Sequence, residues 1–176
     1  MVSLVVPRVQ LWNVIALDTP RVLRRCARCD VERPFASSDR FRVNAQKRRL
    51  DVWLVYKCPV CEDTWNLTVA SRRTPAELGL RLDGYHANDR ALAWACAFDR
   101  ALHAGARVER RVPLRVERPP VEAQPLVIQL ALPHPLGVRL DRLLATELGV
   151  PRASLQVDDP AALRREIVDG QRVTVG

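Results

Sequence analysis

Four of the five cysteines in this chain fall into two pairs of identical spacing, Cys26-Ala27-Arg28-Cys29 and Cys58-Pro59-Val60-Cys61, with 28 residues between them. Two intervening residues let both sulfurs of a pair turn into one knuckle. Two knuckles close a tetrahedral four-thiolate shell, with metal–sulfur distances of about 2.3 Å when the ion is zinc. Such a shell leaves no position open for water or substrate, so the expected chemistry is structural: one bound Zn²⁺ that ties chain segments together. Four thiolates also suit iron. Other thiol chemistries fit less well. A redox dithiol calls for a single Cys-x-x-Cys beside a βαβ pattern. Disulfides need an oxidising compartment, and residues 1–7 lack the basic and apolar regions of a secretion signal. The expected location is therefore the cytoplasm. Cys96 has no paired cysteine and reads as a small packed side chain.

No catalytic constellation accompanies the cysteines. His86, His103 and His134 are scattered, and there is no nucleophile motif and no glycine-rich phosphate loop. No His-x-Glu stands beside a Pro-Cys-x-x-Cys, which argues against a zinc deaminase. Asp89 near His86 is explained by helix capping. The expectation is a protein that is not an enzyme.

Charge is the second signal. The formal net charge is +8, and residues 1–50 alone hold 11 Lys/Arg against 4 Asp/Glu. A basic excess around the first knuckle is the footprint of a polyanionic partner. The residues expected to grip phosphates are Arg24, Arg25, Arg28, Arg40, Arg42, Lys47, Arg48 and Arg49. Only two lysines occur, at 47 and 57, so the arginine preference also follows from the base composition of a genome. No apolar run approaches 18 residues, which excludes a transmembrane helix.

The elements that must position these groups follow from periodicity. Apolar residues from Leu4 to Leu17 predict short strands leading into the cysteine region. Phe41 and Val43 alternate with Arg40 and Arg42; Leu50, Val52, Leu54 and Tyr56 share one face of the next strand; Trp65, Leu67 and Val69 share one face of a third. Knuckle, hairpin, knuckle and return strand together describe a zinc ribbon, with Trp53 and Trp65 expected in its core. Thr74-Pro75-Ala76-Glu77 is a capping box. A longer helix over about 90–103 is predicted to bury Ala91, Trp94, Ala95, Phe98, Ala101 and Leu102. Residues 107–116 read as one edge strand interrupted by Pro113. The Pro-rich stretch 118–125 reads as a linker. Beyond it come a buried strand at 126–132, a helix at about 138–148, a last helix from Asp159-Pro160 and a strand at 172–175.

The runs Leu23–Cys29, Arg40–Ala45, Asp51–Cys58, Trp65–Leu67 and His86–Asp89 resemble a bacterial family known as domain of unknown function family 1062, over about residues 10–175. That resemblance implies a small cytoplasmic protein with a four-cysteine metal site, and it brings no established activity. The C-terminal run Val138–Ala145, with Arg152-Ala153-Ser154 and Ile167–Val175, is similar to the alpha-L RNA-binding motif. That likeness implies RNA contacts by Arg139, Arg142, Arg152, Arg164 and Arg165; the competing reading is a helical packing unit that keeps only the pattern.

The expected fold is α+β: a zinc-ribbon-like antiparallel sheet packed on a central helix, followed by a small helical/β C-terminal unit. Domain limits are expected at 1–117 and 126–176, joined by 118–125. The expected function is a zinc-stabilised RNA-binding or ribosome-associated accessory protein, with structured RNA or the ribosome as partner and no membrane. A protein–protein adaptor with a purely structural ribbon is the alternative, and an enzyme the third reading.

Overall fold

The computed structural model describes residues 8–121 and 125–176. The fold is α+β, with two sheets in two compact units: residues 19–110 form one, and residues 1–18 with 111–176 form the other.

The 19–110 unit is built on strands β2 (Arg21–Arg25), β3 (Glu32–Gln46), β4 (Arg49–Lys57) and β5 (Thr64–Arg73). A short edge strand (Arg107–Glu109) pairs with β2, giving the spatial order β5-β4-β3-β2-edge with every neighbour antiparallel. A two-residue turn joins β3 to β4, with Gln46 opposite Arg49 and Lys47 in the left-handed region at φ 58°. Alternation decides the faces. Val52, Leu54 and Tyr56 are buried, as is Leu67 on β5, whereas Trp53 and Val55 point the other way. Two extra residues, Ser38 and Asp39, interrupt the register of β3 with β4; because they are two, the alternation is kept and Phe35 and Phe41 share the buried side. Helices α1 (Pro75–Leu78), α2 (Arg81–Ala87) and α3 (Arg90–Phe98) follow. The first carries the expected capping box: Thr74 Oγ1 accepts from the Glu77 N–H, and the Glu77 carboxylate accepts from the Thr74 N–H at 2.7 Å.

Helix α3 differs from its prediction in length and in facing. It stops at Phe98, because Asp99 turns extended and its carboxylate accepts from the Ala101 N–H. The buried face carries Ala93, Cys96, Ala97 and Phe98, while Ala91 and Ala95 are exposed. Apart from Arg90 every residue of α3 is apolar, so periodicity could not single out one face. Cys96 packs in the core as expected. The preceding helix α2 was not expected. It ends at Asn88, which adopts φ 54° and whose Oδ1 accepts from the Phe41 N–H at 2.7 Å. Beneath the sheet, Tyr56 Oη and His103 Nε2 lie 3.2 Å apart, and His103 Nδ1 lies 2.9 Å from the Asp99 carbonyl oxygen. That carbonyl can only accept, so Nδ1 carries the proton and Nε2 accepts from Tyr56. Burial pushes the Tyr56 phenol above its ordinary range.

In the other unit β1 (Arg8–Ala16) lies between a strand at Leu114–Glu117, antiparallel, and β8 (Leu126–Ala131), parallel; β9 (Arg172–Val175) pairs with β8. Strand β6 is the Arg107–Glu109 edge and β7 is Leu114–Glu117. The single strand predicted over 107–116 is therefore two, one at an edge of each sheet, since Pro113 cannot donate to a ladder. The predicted lead-in from Leu4 to Leu17 is one strand of this second sheet; Leu4, Val5 and Val6 lie outside the described residues. Gln10, Trp12, Val14 and Ala16 point inward from it, matched by Leu126, Ile128 and Leu130 on β8 and Val173 and Val175 on β9.

The limits 1–117, 118–125 and 126–176 are redrawn accordingly. Strands β7 and β8 flank β1 in one sheet, so the chain between them is a connection within a unit. Arg118 bonds the Glu147 carboxylate at 3.0 Å and its guanidinium lies 5.0 Å from the Trp12 ring, while Gln10 Nε2 donates to the Pro120 carbonyl. Residues 122–124 of the expected linker lie outside the described residues. Helix α4 (Leu140–Leu148) buries Leu140, Leu143 and Leu144 and ends at Gly149, whose φ of 67° is the left-handed conformation a glycine takes freely. The last predicted helix is a single 3₁₀ turn at Ala162–Arg164, followed by the buried Ile167.

Candidate metal centre and basic strand face

The two knuckles occupy equivalent places in the sheet. One links β2 to β3 and the other links β4 to β5; because β3 pairs with β4 as far as Ala36 opposite Lys57, both lie at one end of the ladder. Their backbones match bond for bond. Asp30 N–H donates to the Cys26 carbonyl at 2.9 Å and Glu62 N–H to the Cys58 carbonyl at 3.0 Å; Cys26 N–H reaches the Val31 oxygen and Cys58 N–H the Asp63 oxygen. The residue after each pair is left-handed, Asp30 at φ 57° and Glu62 at φ 59°. Each turn thus aims two sulfurs to one side.

The sulfurs meet across the knuckles. Cys26 Sγ lies 3.4 Å from Cys61 Sγ, and Cys29 Sγ 3.9 Å from Cys58 Sγ. All four lie within 4.8 Å of one another, and none is disulfide-bonded. A tetrahedral shell with bonds of about 2.3 Å has sulfur–sulfur edges of about 3.8 Å, so the cluster needs only small adjustment to hold one ion. Cys26 and Cys58 are buried and belong to the same core cluster as Phe35, Leu54 and Tyr56, whereas Cys29 and Cys61 are half-buried. Around them, Asp63 Oδ2 lies 3.8 Å from Cys26 Sγ and Arg28 donates to the Cys61 carbonyl at 3.2 Å. Val60 within the second knuckle and Val31 just after the first are exposed.

Crowding four thiols makes the protons unequal. Burial opposes ionisation of Cys58, but the backbone N–H groups of Cys61 and Val60 and the neighbouring thiols outweigh it and bring that thiol from 9.0 down to about 7. At Cys26 the Cys29 N–H favours the thiolate, yet burial and the neighbouring sulfurs leave the thiol raised. Cys29 and Cys61 are raised as well; in each a hydrogen bond that favours the thiolate, from Cys61 and from the Asp63 backbone respectively, is outweighed by burial and neighbouring thiols. Cys58 is thus the thiol of the four that ionises most readily.

The predicted basic residues divide by what they touch. Arg24 lies over the Trp65 ring at 4.6 Å and the Phe35 ring at 5.7 Å; Arg25 pairs with Asp30 at 2.6 Å; Arg49 reaches Glu77 and the Arg72 carbonyl. Arg40, Arg42, Lys47 and Arg48 are exposed, and among the described residues none of the four forms an ion pair. Arg40 and Arg42 stand opposite Val55 and Trp53 on the sheet face away from the helices. Trp65 packs against the core as expected. Trp53 does not: it is half-buried on that outer face, with the Arg42 guanidinium 5.9 Å from its ring. The candidates run the length of the sheet, since the eight steps from Arg49 to Lys57 span about 27 Å. In the other unit Arg139 bonds Asp141 at 2.7 Å, Arg142 and Arg152 line a cavity, and Arg164 and Arg165 are exposed at the 3₁₀ turn. Sequence reasoning missed Trp53 as a surface group; the cue was that it alternates with buried Val52 and Leu54, as Arg42 alternates with Phe41. No helix of the described residues is long and apolar enough to cross a membrane.

A family model described as protein of unknown function (DUF1062) matches residues 43–160, a span that contains the second knuckle and not the first. No curated protein and no solved structure matches the chain.

Proposed function

The chain belongs to that DUF1062 family, whose description carries no activity, and on this premise we propose a zinc-stabilised RNA-binding accessory protein. One structural Zn²⁺ would be held by Cys26, Cys29, Cys58 and Cys61. Four thiolates on two rigid knuckles leave no coordination position for substrate, so the ion's role is to fasten the ends of β2–β3 and β4–β5.

What supports RNA as partner is the outer face of β3–β4. Trp53 there is a half-buried ring flanked by Arg42 and Arg40, with Lys47 and Arg48 at the hairpin tip. An aromatic on a sheet face stacks an unpaired base, and surrounding arginines take the phosphates. The reading is tested by RNA binding to metal-loaded protein as a function of salt. Affinity should fall steeply as salt rises, and reversing Arg40, Arg42 and Arg48 to Glu should flatten the slope by about three phosphates' worth. Trp53→Ala should cost about 1–3 kcal/mol on single-stranded RNA. Salt-insensitive binding, or none, would end the proposal.

Val31, 47% exposed, and Val60, 62% exposed, favour a second reading, in which the knuckle end is an apolar contact for a protein partner. Under that adaptor reading Val60→Asp abolishes partner capture and leaves RNA untouched. An enzyme is the third reading.

A further inference from the structure

The unit formed by residues 1–18 and 111–176 contains a cavity of about 420 Å³, within the roughly 300–1,000 Å³ of small-molecule sites. Its wall draws arginines from three segments: Arg111 before β7, Arg139 and Arg142 at the start of α4, and Arg152 in the 3₁₀ turn after it. Two carboxylates share the wall, and each is paired with an arginine through one oxygen. Glu147 is bonded by Arg118, and Asp141 Oδ2 by Arg139 at 2.7 Å. That leaves Arg111, Arg142 and Arg152 exposed, with no ion pair among the described residues. Three cations on the lining of one concavity without a protein counterion suit an anion of more than one charge.

A second observation is independent of the arginines. Asp141 is 8% exposed, and its Oδ1 is buried with no hydrogen-bond partner. A buried carboxylate oxygen left unpaired is costly and uncommon. That oxygen has no exposed surface as it stands, so a ligand's O–H or N–H donor reaches it only when the Asp141 carboxylate turns toward the cavity. Val112, Leu114, Val138 and Leu143 complete the lining and offer an apolar surface.

Together these describe a ligand with a dianionic head, a polar donor and a partly apolar body. We propose that this cavity binds a phosphate monoester carried on a nucleoside. Arg111, Arg142 and Arg152 would take the phosphate, which carries about −1.5 to −2 charges at neutral pH, and Asp141, turned toward the cavity, would accept from a sugar hydroxyl or base amino group. The same chemistry has two sources, a free mononucleotide and the 5′-phosphate end of an RNA chain. The site is on a different unit from Trp53 and the β3–β4 face, so it stands or falls separately from the function proposed above.

Calorimetry on the full, metal-loaded chain tests it, with adenosine monophosphate, uridine monophosphate, adenosine, and a short oligoribonucleotide carrying either a 5′-phosphate or a 5′-hydroxyl as probes. The mononucleotides should bind, and adenosine should be at least about tenfold weaker. Arg142→Gln/Arg152→Gln should weaken adenosine monophosphate by about tenfold or more with zinc content unchanged. Asp141→Asn should weaken adenosine monophosphate more than it weakens inorganic phosphate. Arg42→Glu and Trp53→Ala should leave all of these constants alone. A 5′-phosphorylated oligomer that binds tighter than both the mononucleotide and its 5′-hydroxyl counterpart assigns the site to RNA ends; a mononucleotide at least as tight assigns it to free nucleotides. No binding of any phosphorylated probe at millimolar concentration overturns the proposal. So does adenosine equal to its monophosphate, or the arginine double variant equal to the parent.

Discussion

Replacing Cys26 and Cys61 together by serine removes one sulfur from each knuckle, the two that lie 3.4 Å apart. Structural zinc contributes an apparent 10–16 kcal/mol, on the order measured in small zinc-finger peptides at neutral pH. Residues 19–110 form a unit of 92 residues, for which a net stability of roughly 5–14 kcal/mol is expected with every interaction in place. The metal term is therefore as large as the whole margin. Its loss is not confined to the knuckles, because Cys26 and Cys58 sit in the core cluster with Phe35, Leu54 and Tyr56. The double variant should carry no zinc, and hydrogen exchange should show β2–β5 and α3 unprotected. Protection should persist in β1, β8, β9 and α4, which belong to the other unit and hold no cysteine. Chelation of the parent protein should reproduce that pattern. Full zinc retention by the variant would refute the site as drawn. Unchanged protection of residues 19–110 without metal would refute the claim that the ion holds this unit together.

Other expectations follow from individual groups. Zinc affinity should rise with pH, because the ion displaces the protons of the thiols it binds: the apparent dissociation constant should fall by about three to four decades per pH unit around neutrality. A competition titration with a chromophoric chelator at several pH values reads this slope, and a flat response would contradict the thiolate assignment. Tyr56→Phe deprives the buried His103 Nε2 of its donor and should cost about 1–3 kcal/mol in denaturant melts of the zinc-bound protein; a change below about 0.5 kcal/mol would show the pair to be idle. Asp158 accepts from the Thr174 N–H and hydroxyl, and these bonds hold its carboxyl below the ordinary 3.8. Its contribution is present in full above pH 3.8 and is lost as pH falls through the lower folded value, so Asp158→Asn should flatten the acid limb of the stability profile.

The four-cysteine cluster was legible in the sequence because a knuckle is a local object. Two residues between cysteines, with a turn after them, bring a pair of sulfurs to one side whatever the rest of the chain does. The strand alternation around Val52, Leu54, Tyr56 and Leu67 was legible for the same reason, since a period of two fixes the face once the strand exists. The capping box at Thr74 and the glycine stop at 149 are equally local, each a side chain or a φ acting within one turn.

What only tertiary structure decided are the choices between partners distant in sequence. The residues from Arg8 to Ala16 are a plausible strand in any sheet; they join β8 because their inward row of Gln10, Trp12, Val14 and Ala16 finds a match more than a hundred residues later. That pairing converts a proline-rich stretch from a linker into a connection within a unit. Helix α3, apolar on nearly every side, receives its buried face from the sheet it docks on. The same holds for the two groups that carry the proposals. Trp53 is an apolar residue in an apolar strand, and only the placement of the helices on the opposite face leaves it outward. Asp141 is a charged residue near a helix start until the fold places it on one cavity wall with Arg111, Arg142 and Arg152, drawn from three separate segments. Local chemistry is written in spacing, but the surroundings of a side chain are set by long-range packing, which spacing does not encode.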